Sequence, residues 1–330
     1  MRAVRISEFG GPEVLELVEV PTPEPPPGGL VVTVAAAGVN FRDVMMRRGL
    51  YPGLPSPPLP VGCEGAGTVV AVGDGVDEFG IGDRVAWAGT DGSYAEVAVI
   101  PAADAVRVPD GIDAGDAAAL LSQGLTAHYL ATTVWGEVRR GGGTALVLSA
   151  AGGVGGLLTQ IIAATGGTVV AAVSDERKVP TARGNGAAEV VVGYENLATA
   201  AHDLTDGRGV DVVFDGVGGE GFADRLRGVR RCGLVVLYGA SGGRVEPVDL
   251  NELAMAGSVF VTRPRLVDFL RDRDELLTRS RDLFSWLAAG TLRPHIHRRY
   301  GLDGAQQAHL DLESRSTTGK LVIHPNGNHW

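Results

Sequence analysis

GGGTALVLSAAGGVGGLLTQIIAATGGTVVAAV, residues 141–173, is the stretch that decides the fold. It contains nine glycines and no charged residue, and it is long enough to cross a lipid bilayer. The glycines divide it into ALVLS, a turn, a helix of small residues and TVVAAV. Two strands buried on both faces around a crossover helix produce one continuous apolar run of this kind. The stretch therefore predicts a strand–helix–strand unit of a parallel sheet and not a membrane span.

Strands and helices continue to alternate after this unit. The apolar segments EVVV, VDVVFD, GLVVLYG and SVFVT follow one another with helical patterns between them. Such repeated crossovers indicate an α/β fold with a doubly wound parallel sheet, whose ligand site lies at the carboxyl ends of the strands. After Pro264 come a helical pattern with Leu276, Leu277, Phe284 and Leu287 and a last strand, LVIHP.

The first 125 residues have a different pattern. Short strand-like segments, VLELVEV, LVVTVAAAGV, GTVVAVG and RVAWAG, lie between turns, with proline clusters at 21–27 and 52–60. Strands of this length with glycine and proline punctuation predict a compact β-rich domain. A chain of 330 residues is too long for one ordinary core, so two domains are expected.

Composition narrows the class of partner. The formal net charge of −10 argues against nucleic acid or an anionic membrane, since both need a cationic surface, and it favours a small-molecule partner. The two cysteines, Cys63 and Cys232, are too few for a disulfide framework or a four-thiolate zinc site. With no apolar signal core in MRAVRISEFGG, these features predict a cytoplasmic protein.

A glycine-rich turn follows the ALVLS strand and predicts a dinucleotide site. In Ala150-Ala151-Gly152-Gly153-Val154-Gly155, Gly152 would let the backbone approach a pyrophosphate and Gly155 would let helix and strand pack closely. Ala150 stands where the motif carries its first glycine. A glycine-rich turn without a ligand remains the alternative at this point.

The end of the TVVAAV strand decides between NAD and NADP. Asp175 could accept hydrogen bonds from ribose hydroxyls, whereas Ser174 and Lys178 could bind a 2′-phosphate. Lys178 is one of only two lysines among 29 cationic residues. Composition leaves both dinucleotides open, and Lys178 could equally be a solvated helix cation.

Seven short motifs occur in order along the chain: Gly38-Val39-Asn40-Phe41-Arg42-Asp43, Gly49-Leu50-Tyr51-Pro52, Gly82-Asp83-Arg84-Val85, Gly124-Leu125-Thr126, Ala150-Ala151-Gly152-Gly153-Val154-Gly155, Val261-Thr262-Arg263-Pro264 and Glu313-Ser314-Arg315. Over nearly the whole chain they resemble the quinone oxidoreductase, or zeta-crystallin-like, branch of the medium-chain dehydrogenase/reductase superfamily. The resemblance implies a GroES-like catalytic domain of residues 1–123 and 263–330 and a Rossmann domain of residues 124–262. It also implies an active site in the interdomain cleft and a homodimer formed through the Rossmann sheets.

The resemblance also implies NADPH as the cofactor and names its site. Residues matching those that hold the 2′-phosphate are Ser174, Lys178, Tyr194 and Arg315, and the turn residues Ala151, Gly152, Gly153, Val154 and Gly155 would bind the pyrophosphate. Asn40, Thr126, Tyr238, Gly239 and Ser241 are expected near the nicotinamide, with Gly124-Leu125-Thr126 opening the connecting helix. Asp175 is discounted because it lies past the position of the acidic residue in NAD-dependent relatives.

Zinc-dependent alcohol dehydrogenases of the same superfamily are the nearest alternative. Their catalytic ligands would fall at Asn40, Cys63 and Ser122, and only Cys63 could bind zinc as a thiolate, so no metal is expected. Without a Lewis acid, reduction of a quinone or an α,β-unsaturated carbonyl compound is the favoured reaction. Asn40 and Tyr51, which the resemblance places near the nicotinamide, are the candidate donors to the developing anion. The structural alternatives are that Asn40 caps a turn before the FRDVMMRRG helix and that Tyr51 only covers the cleft.

Three points stay open in the sequence. Met45 replaces a tyrosine of several family members, which leaves the proton donor undefined. The substrate could be a quinone in detoxification or an enone in polyketide tailoring. A structural or RNA-binding role is the remaining alternative, for which Arg225, Arg227, Arg230 and Arg231 form a basic cluster; we interpret them instead as the solvated side of a helix.

Overall fold

The computed structural model describes residues 1–138 and 142–327, which form two compact units. The first unit comprises Met1–Gln123, Asp272–Ala288 and the described residues from Pro294 onward. The second comprises Gly124–Arg271 and Ala289–Arg293.

The strands and helices have the following bounds. The strands are β1 (Arg2–Ile6), β2 (Leu15–Glu19), β3 (Gly29–Val39), β4 (Leu59–Pro60), β5 (Glu64–Val72), β6 (Arg84–Ala88), β7 (Val97–Pro101), β8 (Ala105–Arg107), β9 (Thr144–Leu148), β10 (Thr168–Val173), β11 (Glu189–Val192), β12 (Val210–Asp215), β13 (Val229–Leu237), β14 (Phe260–Thr262), β15 (Ile296–Gly301) and β16 (Lys320–His324). The α-helices are α1 (Phe41–Arg47), α2 (Ala114–Tyr129), α3 (Trp135–Val138), α4 (Gly153–Ala164), α5 (Val179–Gly184), α6 (Leu197–Asp203), α7 (Phe222–Arg227), α8 (Leu250–Met255), α9 (Arg273–Ala288) and α10 (Ala305–Glu313). A π-helical turn, Leu130–Val134, joins α2 to α3.

The second unit is built on one parallel sheet. Its strand order is β11-β10-β9-β12-β13-β14, with each described pair parallel. Numbered by appearance this is 3-2-1-4-5-6, the order of a dinucleotide-binding sheet. The prediction from residues 141–173 is confirmed where the chain is described, because β9, α4 and β10 form one crossover unit; Gly141 lies outside the described residues.

The first unit combines two sheets and draws on both ends of the sequence. One sheet has the order β15-β16-β3-β5-β6-β8, with β7 also paired to β3, and the other has the order β2-β1-β4. Strand β16 pairs antiparallel with β3, with Leu321 opposite Val39. Side chains such as Leu30, Trp87 and Ile323 fill the core beneath these sheets. The β-rich first domain expected from the sequence is confirmed.

Two local interpretations were wrong. Residues 124–126 lie inside α2, which begins at Ala114, so they do not open the connecting helix. Arg225 is 1% exposed, because it pairs with a buried carboxylate, whereas a solvated helix face was expected. Arg230 and Arg231 belong to β13 and not to a helix. Within the described residues, no helix is both long and apolar enough to cross a membrane.

Candidate active site and coenzyme site

The turn between β9 and α4 is shaped by its glycines. Gly152 is the N-cap residue of α4 and has an extended backbone. Because glycine has no side chain, no capping hydrogen bond is made to the first N–H groups of the helix. A Cβ atom on Gly155 would overlap the carbonyl oxygen of Ser149, so only glycine fits this close approach of helix and strand. The first N–H groups of α4 and the positive end of its dipole therefore suit a phosphate.

Two tyrosines follow the carboxyl ends of β11 and β13, each of which lies two strands away from β9 in the sheet. The hydroxyl of Tyr238 donates to the carbonyl oxygen of Leu148 at 3.3 Å, and burial raises the pKa of this phenol well above its usual range. Burial also raises the pKa of Tyr194, although a hydrogen bond with Ser149 opposes the shift. Both predicted residues thus border the strand end from which the glycine-rich turn begins.

The segment after β13 is bound to the segment after β12. Gly239 N–H donates to the Asp215 carbonyl oxygen at 3.3 Å, and the Ser241 backbone N–H and hydroxyl each donate to the Gly216 carbonyl oxygen at 3.2 Å. Predicted residues Tyr238, Gly239 and Ser241 are therefore held at the edge where a parallel sheet binds its ligand. Thr126 is half-buried within α2.

A buried ion pair, missed in the sequence, fixes this edge. Asp215 Oδ1 accepts from the N–H groups of Val217 and Gly218 at 2.7 and 2.9 Å, and Oδ2 accepts from Arg225 at 2.8 Å. Arg225 also donates to the Gly218 carbonyl oxygen at 2.9 Å. The available signal was Asp215 itself, since a carboxylate ending a buried strand needs a partner.

The residues after β10 include both the candidate for binding the NAD ribose, Asp175, and the candidates for binding the NADP 2′-phosphate, Ser174 and Lys178. Asp175 caps a short 3-10 turn through the Arg177 N–H at 3.0 Å and pairs with the Arg177 guanidinium at 3.1 Å, and that pairing lowers its pKa. Its carboxylate is therefore already engaged. Ser174 is exposed and Lys178 half-buried at the same strand end, and Tyr194 follows the adjacent strand β11. Arg315 lies in the first unit after α10, with a φ of 57°.

Asn40, the candidate donor in the first unit, stands at the N-cap of α1. Its backbone N–H donates to Asp43 Oδ2 at 2.8 Å, which closes the first turn of the helix. The side-chain amide of Asn40 donates through Nδ2 to Glu64 Oε2 at 2.9 Å and accepts through Oδ1 from Lys320 Nζ at 2.8 Å.

Glu64 and Lys320, neither of which was predicted as a site residue, form the second buried ion pair. Their exposures are 0% and 1%, and Lys320 Nζ lies 2.5 Å from Glu64 Oε2. Glu64 Oε1 accepts from the Ser122 N–H at 2.5 Å, so both of its oxygens are bonded. The signal was present: Lys320 is the other lysine of a chain in which arginine provides almost every cation.

A third buried carboxylate lies nearby. Burial raises the pKa of Asp43 to about 6. Tyr94 donates to Asp43 Oδ2 at 3.1 Å, and the Tyr94 hydroxyl lies 3.3 Å from His309 Nε2. Burial lowers the pKa of His309 to about 3, so this imidazole is neutral at physiological pH.

Tyr51, the second candidate donor, is 38% exposed. The Arg42 guanidinium lies 4.9 Å from the centre of its ring, and Arg42 also pairs with Asp91 at 2.6 Å. Arg42, two residues after Asn40, therefore restrains the tyrosine ring through a cation–π contact.

Comparisons with known proteins place these features in a family. Residues 26–110 match the family described as "Alcohol dehydrogenase GroES-like domain" and residues 185–323 that described as "Zinc-binding dehydrogenase". The quinone oxidoreductase of Pseudomonas aeruginosa is 40% identical over 326 residues, which cover 98% of this chain and 99% of the relative. This chain belongs to the quinone oxidoreductase family. It is a member of the medium-chain dehydrogenase/reductase superfamily, and the α/β fold with GroES-like and Rossmann parts is confirmed.

Solved structures that resemble this chain over nearly its whole length include two complexes with NADPH. The Escherichia coli quinone oxidoreductase, solved in complex with NADPH, is 37% identical with a TM-score of 0.94, covering 98% of this chain and 100% of that one. A mycobacterial protein, also solved with NADPH, is 40% identical with a TM-score of 0.94 and the same coverage.

One matching family is described as zinc-binding, whereas the side chains at the expected zinc-ligand positions of this chain are Asn40, Cys63 and Ser122. Burial, reinforced by the charge of Asp43, raises the pKa of Cys63 well above its usual range, so the thiol stays protonated. Asn40 is bonded to an ammonium and a carboxylate, and Ser122 offers no soft ligand. The Lys320 ammonium would also repel a cation. These residues do not fit catalytic zinc, which requires three protein ligands.

Proposed function

We propose that this protein reduces quinones or other α,β-unsaturated carbonyl compounds with NADPH and without a metal. The observation that carries the proposal is the whole-length match to quinone oxidoreductases, one of which was solved with NADPH. The glycine-only approach at Gly155 and the uncapped start of α4 support a dinucleotide in the second unit.

NADPH would be held by residues of several elements. We propose that Ala151, Gly152, Gly153, Val154 and Gly155 bind the pyrophosphate and that Ser174, Lys178, Tyr194 and Arg315 bind the 2′-phosphate. Thr126, Tyr238, Gly239, Ser241 and Asn40 would contact the nicotinamide end. Support for the phosphate reader comes from Asp175, whose carboxylate is already bonded to Arg177. We likewise propose residues 124–262 as the coenzyme domain, with 1–123 and 263–330 as the catalytic domain.

When bound, NADPH supplies the hydride for the reaction. Negative charge then develops on the carbonyl oxygen of the conjugated substrate, and the protein must donate hydrogen bonds there. We propose Asn40 and Tyr51 as these catalytic donors. One Asn40 N–H is bound by Glu64 at 2.9 Å, and its second N–H has only long contacts to Gly38 O at 3.4 Å and Cys63 Sγ at 3.8 Å. That second N–H is suited to a substrate oxygen. Met45 has no proton to donate, so we propose that solvent supplies the proton that completes the reduction.

The alternatives receive less support. Three relatives that are 37–40% identical over 98% of this chain are named quinone oxidoreductases, which favours this activity over a polyketide-tailoring or non-enzymatic role. A role in RNA binding is opposed by the net charge of −10 and by the burial of Arg225 within the expected basic cluster. A small molecule is therefore the proposed partner.

We also propose a homodimer formed by a second copy of this chain. Strand β14 is an edge of the parallel sheet, and it exposes Phe260 by 62% and Val261 by 41%. Leu250 and Met255 of α8 are 77% and 88% exposed. An edge strand with apolar side chains is a template for pairing with another chain. The free thiols Cys63 and Cys232 support a reducing, cytoplasmic compartment.

The activity is tested with purified protein, a simple quinone such as 1,4-benzoquinone, and both reduced nicotinamide dinucleotides. We expect rapid loss of nicotinamide absorbance with NADPH, a slower reaction with NADH, and almost no oxidation of a simple secondary alcohol with NADP⁺. Alcohol oxidation faster than quinone reduction would overturn the proposal.

Sedimentation of wild type and Phe260→Asp tests the dimer, which the charge at the sheet edge should dissociate.

A further inference from the structure

Lys320 is a cation without access to water in the catalytic unit. Its side chain is 1% exposed, and its ammonium donates to Glu64 Oε2 at 2.5 Å and to Asn40 Oδ1 at 2.8 Å. Burying a charge is costly unless it is paired and hydrogen-bonded, and a buried ion pair is often no more stabilising than apolar residues of similar volume. Stability alone is therefore a weak reason for this pair.

The pair determines which way the Asn40 amide faces. The amide oxygen lies against the Lys320 ammonium and the amide nitrogen against the Glu64 carboxylate. A rotation of the amide by half a turn would bring NH₂ against NH₃⁺ and oxygen against oxygen, both repulsive. Because Oδ1 faces the ammonium and one N–H is bonded to Glu64, the group that Asn40 has left to offer a ligand is its second N–H, a donor.

The ammonium also changes the strength of that donor. A cation bonded to an amide oxygen draws electron density from the nitrogen, and linked hydrogen bonds in a low-dielectric interior reinforce one another. We propose that Lys320 is a positioning residue that acts through Asn40, holding its amide in one orientation and strengthening its remaining N–H toward the substrate oxygen. This inference rests on the proposed role of Asn40.

The local packing is consistent with a lysine at this position. A Cβ atom on Gly38 would lie 2.6 Å from Lys320 Cε and would overlap Glu64 Oε2, so glycine at 38 makes room for the pair. The compact ammonium fits where the larger planar guanidinium would need more space. Lysine therefore stands here in a chain in which arginine provides almost every cation.

A double-mutant cycle tests the inference. Turnover with saturating NADPH and 1,4-benzoquinone is measured for wild type, Asn40→Ala, Lys320→Met and the double variant. We expect Lys320→Met to lower kcat by about 10 to 100-fold, less than the roughly 100 to 1,000-fold for complete loss of one oxyanion-hole donor, because Asn40 itself remains. If Lys320 acts through Asn40, the same substitution should change kcat less than about 3-fold in the Asn40→Ala background, because effects within one unit are non-additive.

Arg47 provides the matched control. It is a fully buried cation of the same unit, paired with Glu313 at 2.8 Å and without a hydrogen bond to Asn40. Arg47→Met should lower the midpoint of thermal unfolding, because a buried cation and its ion pair are lost. The kcat of the folded protein should stay within about 2-fold of wild type, because Arg47 makes no hydrogen bond to the Asn40 amide. If Lys320→Met does not fold, Glu64→Gln combined with Lys320→Met removes the pair without leaving a lone buried charge.

The outcomes separate the two levels of inference. If Asn40→Ala leaves turnover unchanged, the proposed role of Asn40 is wrong and the role of Lys320 with it. If Asn40→Ala lowers turnover but Lys320→Met, or the neutral pair variant, does not, only the role of Lys320 is wrong. Equal losses from Lys320→Met in both backgrounds, or a loss no different from that of Arg47→Met, would also overturn it.

Discussion

Each unit of the molecule contains a buried ion pair, and the two pairs hold different kinds of group. Lys320–Glu64 binds both ends of one side-chain amide, whereas Arg225–Asp215 binds two backbone N–H groups and a carbonyl oxygen. The first pair determines what a side chain can donate. The second determines the path of a backbone segment at the coenzyme edge. Similar burial and similar ion-pair chemistry therefore serve side-chain chemistry in one unit and main-chain shape in the other.

The largest expected effect concerns the Arg225–Asp215 ion pair of the second unit, which we propose binds the coenzyme. Arg225→Met leaves Asp215 as an unpaired buried carboxylate, so the free energy of unfolding should fall by about 3–5 kcal/mol. NADPH binding should weaken as the segment after β12 loosens. Urea unfolding and coenzyme titration measure the two effects. Arg230→Met is the control, because Asp211 keeps Arg208 at 3.0 Å when Arg230 is lost. Equal stability of the two variants would contradict the comparison.

The next effect belongs to the catalytic unit. Asn40→Ala should lower turnover by about 10 to 1,000-fold, by analogy with the loss of one oxyanion-hole donor. Steady-state kinetics and NADPH titration are measured together, because Asn40 is also proposed to contact the coenzyme. Unchanged turnover and unchanged coenzyme affinity would make Asn40 a structural residue and leave Tyr51 or solvent as the donor.

Coenzyme recognition by exposed or half-buried cations should show a smaller effect. Lys178→Ala or Arg315→Ala should weaken NADPH binding by about 10 to 150-fold, since a charge-assisted hydrogen bond to phosphate contributes roughly 1.5–3 kcal/mol. NADH binding should change much less, and the two substitutions should be non-additive because both cations address one phosphate. Titrations of both dinucleotides decide this. Equal losses for NADPH and NADH would return Asp175 to consideration.

Asp43 differs from the two ion pairs, because its carboxylate accepts from the Asn40 backbone N–H and the Tyr94 hydroxyl, neither of which is a cation. Burial raises its pKa from 3.8 to about 6, so the folded state binds the proton more tightly than the unfolded chain. Its stabilising contribution is complete below about pH 4 and is lost as the pH rises through about 6. Arg42, Lys320 and Cys63 also face this carboxyl.

Asp43→Asn should abolish that pH dependence. Relative to the variant, the free energy of unfolding of wild type should fall by about 1–3 kcal/mol between pH 4 and pH 7. Chemical unfolding of both proteins across this pH range measures the difference, in which the other titrating groups cancel. Parallel curves for the two proteins would show that Asp43 does not titrate in this window.

The smallest expected effect is none. Exhaustive chelation should leave NADPH-dependent quinone reduction unchanged, because Asn40, Cys63 and Ser122 do not form a zinc ligand set. The measurement is turnover beside elemental analysis of the protein before and after treatment. Stoichiometric, tightly bound zinc whose removal abolishes turnover would refute the metal-free mechanism.

The sequence predicted the elements well where hydrophobic pattern decides them. The segments TVVAAV, EVVV and VDVVFD coincide with β10, β11 and β12, because strands of a parallel sheet are apolar along their whole length. Arg225 was misplaced because a short helix after a buried strand can turn a charged residue inward when the strand ends in a carboxylate. Charge clusters along the sequence do not reveal this.

The site was predicted in part. Asn40 was found through a motif, but the partners of its amide lie at residues 64 and 320, far away in the sequence. No local pattern relates a glutamate that begins β5 to a lysine that begins β16, since the pairing of β3 with both strands brings them together. The rarity of lysine was the one available clue, and it was applied to Lys178 alone.

The pairing of β16 with β3 also fixes an order of events during synthesis. Lys320 and Asn40 are separated by 280 positions, and the strands β9–β14 of the coenzyme sheet are translated between them. Domains generally fold as units while the chain emerges from the ribosome. The parallel sheet β9–β14 can therefore fold first. The hydrogen bond from Lys320 to Asn40 forms only after β16 has been synthesised. A chain broken off before β16 would contain the strands of the parallel sheet but not Lys320, so the Asn40 amide would lack the ammonium that orients its oxygen.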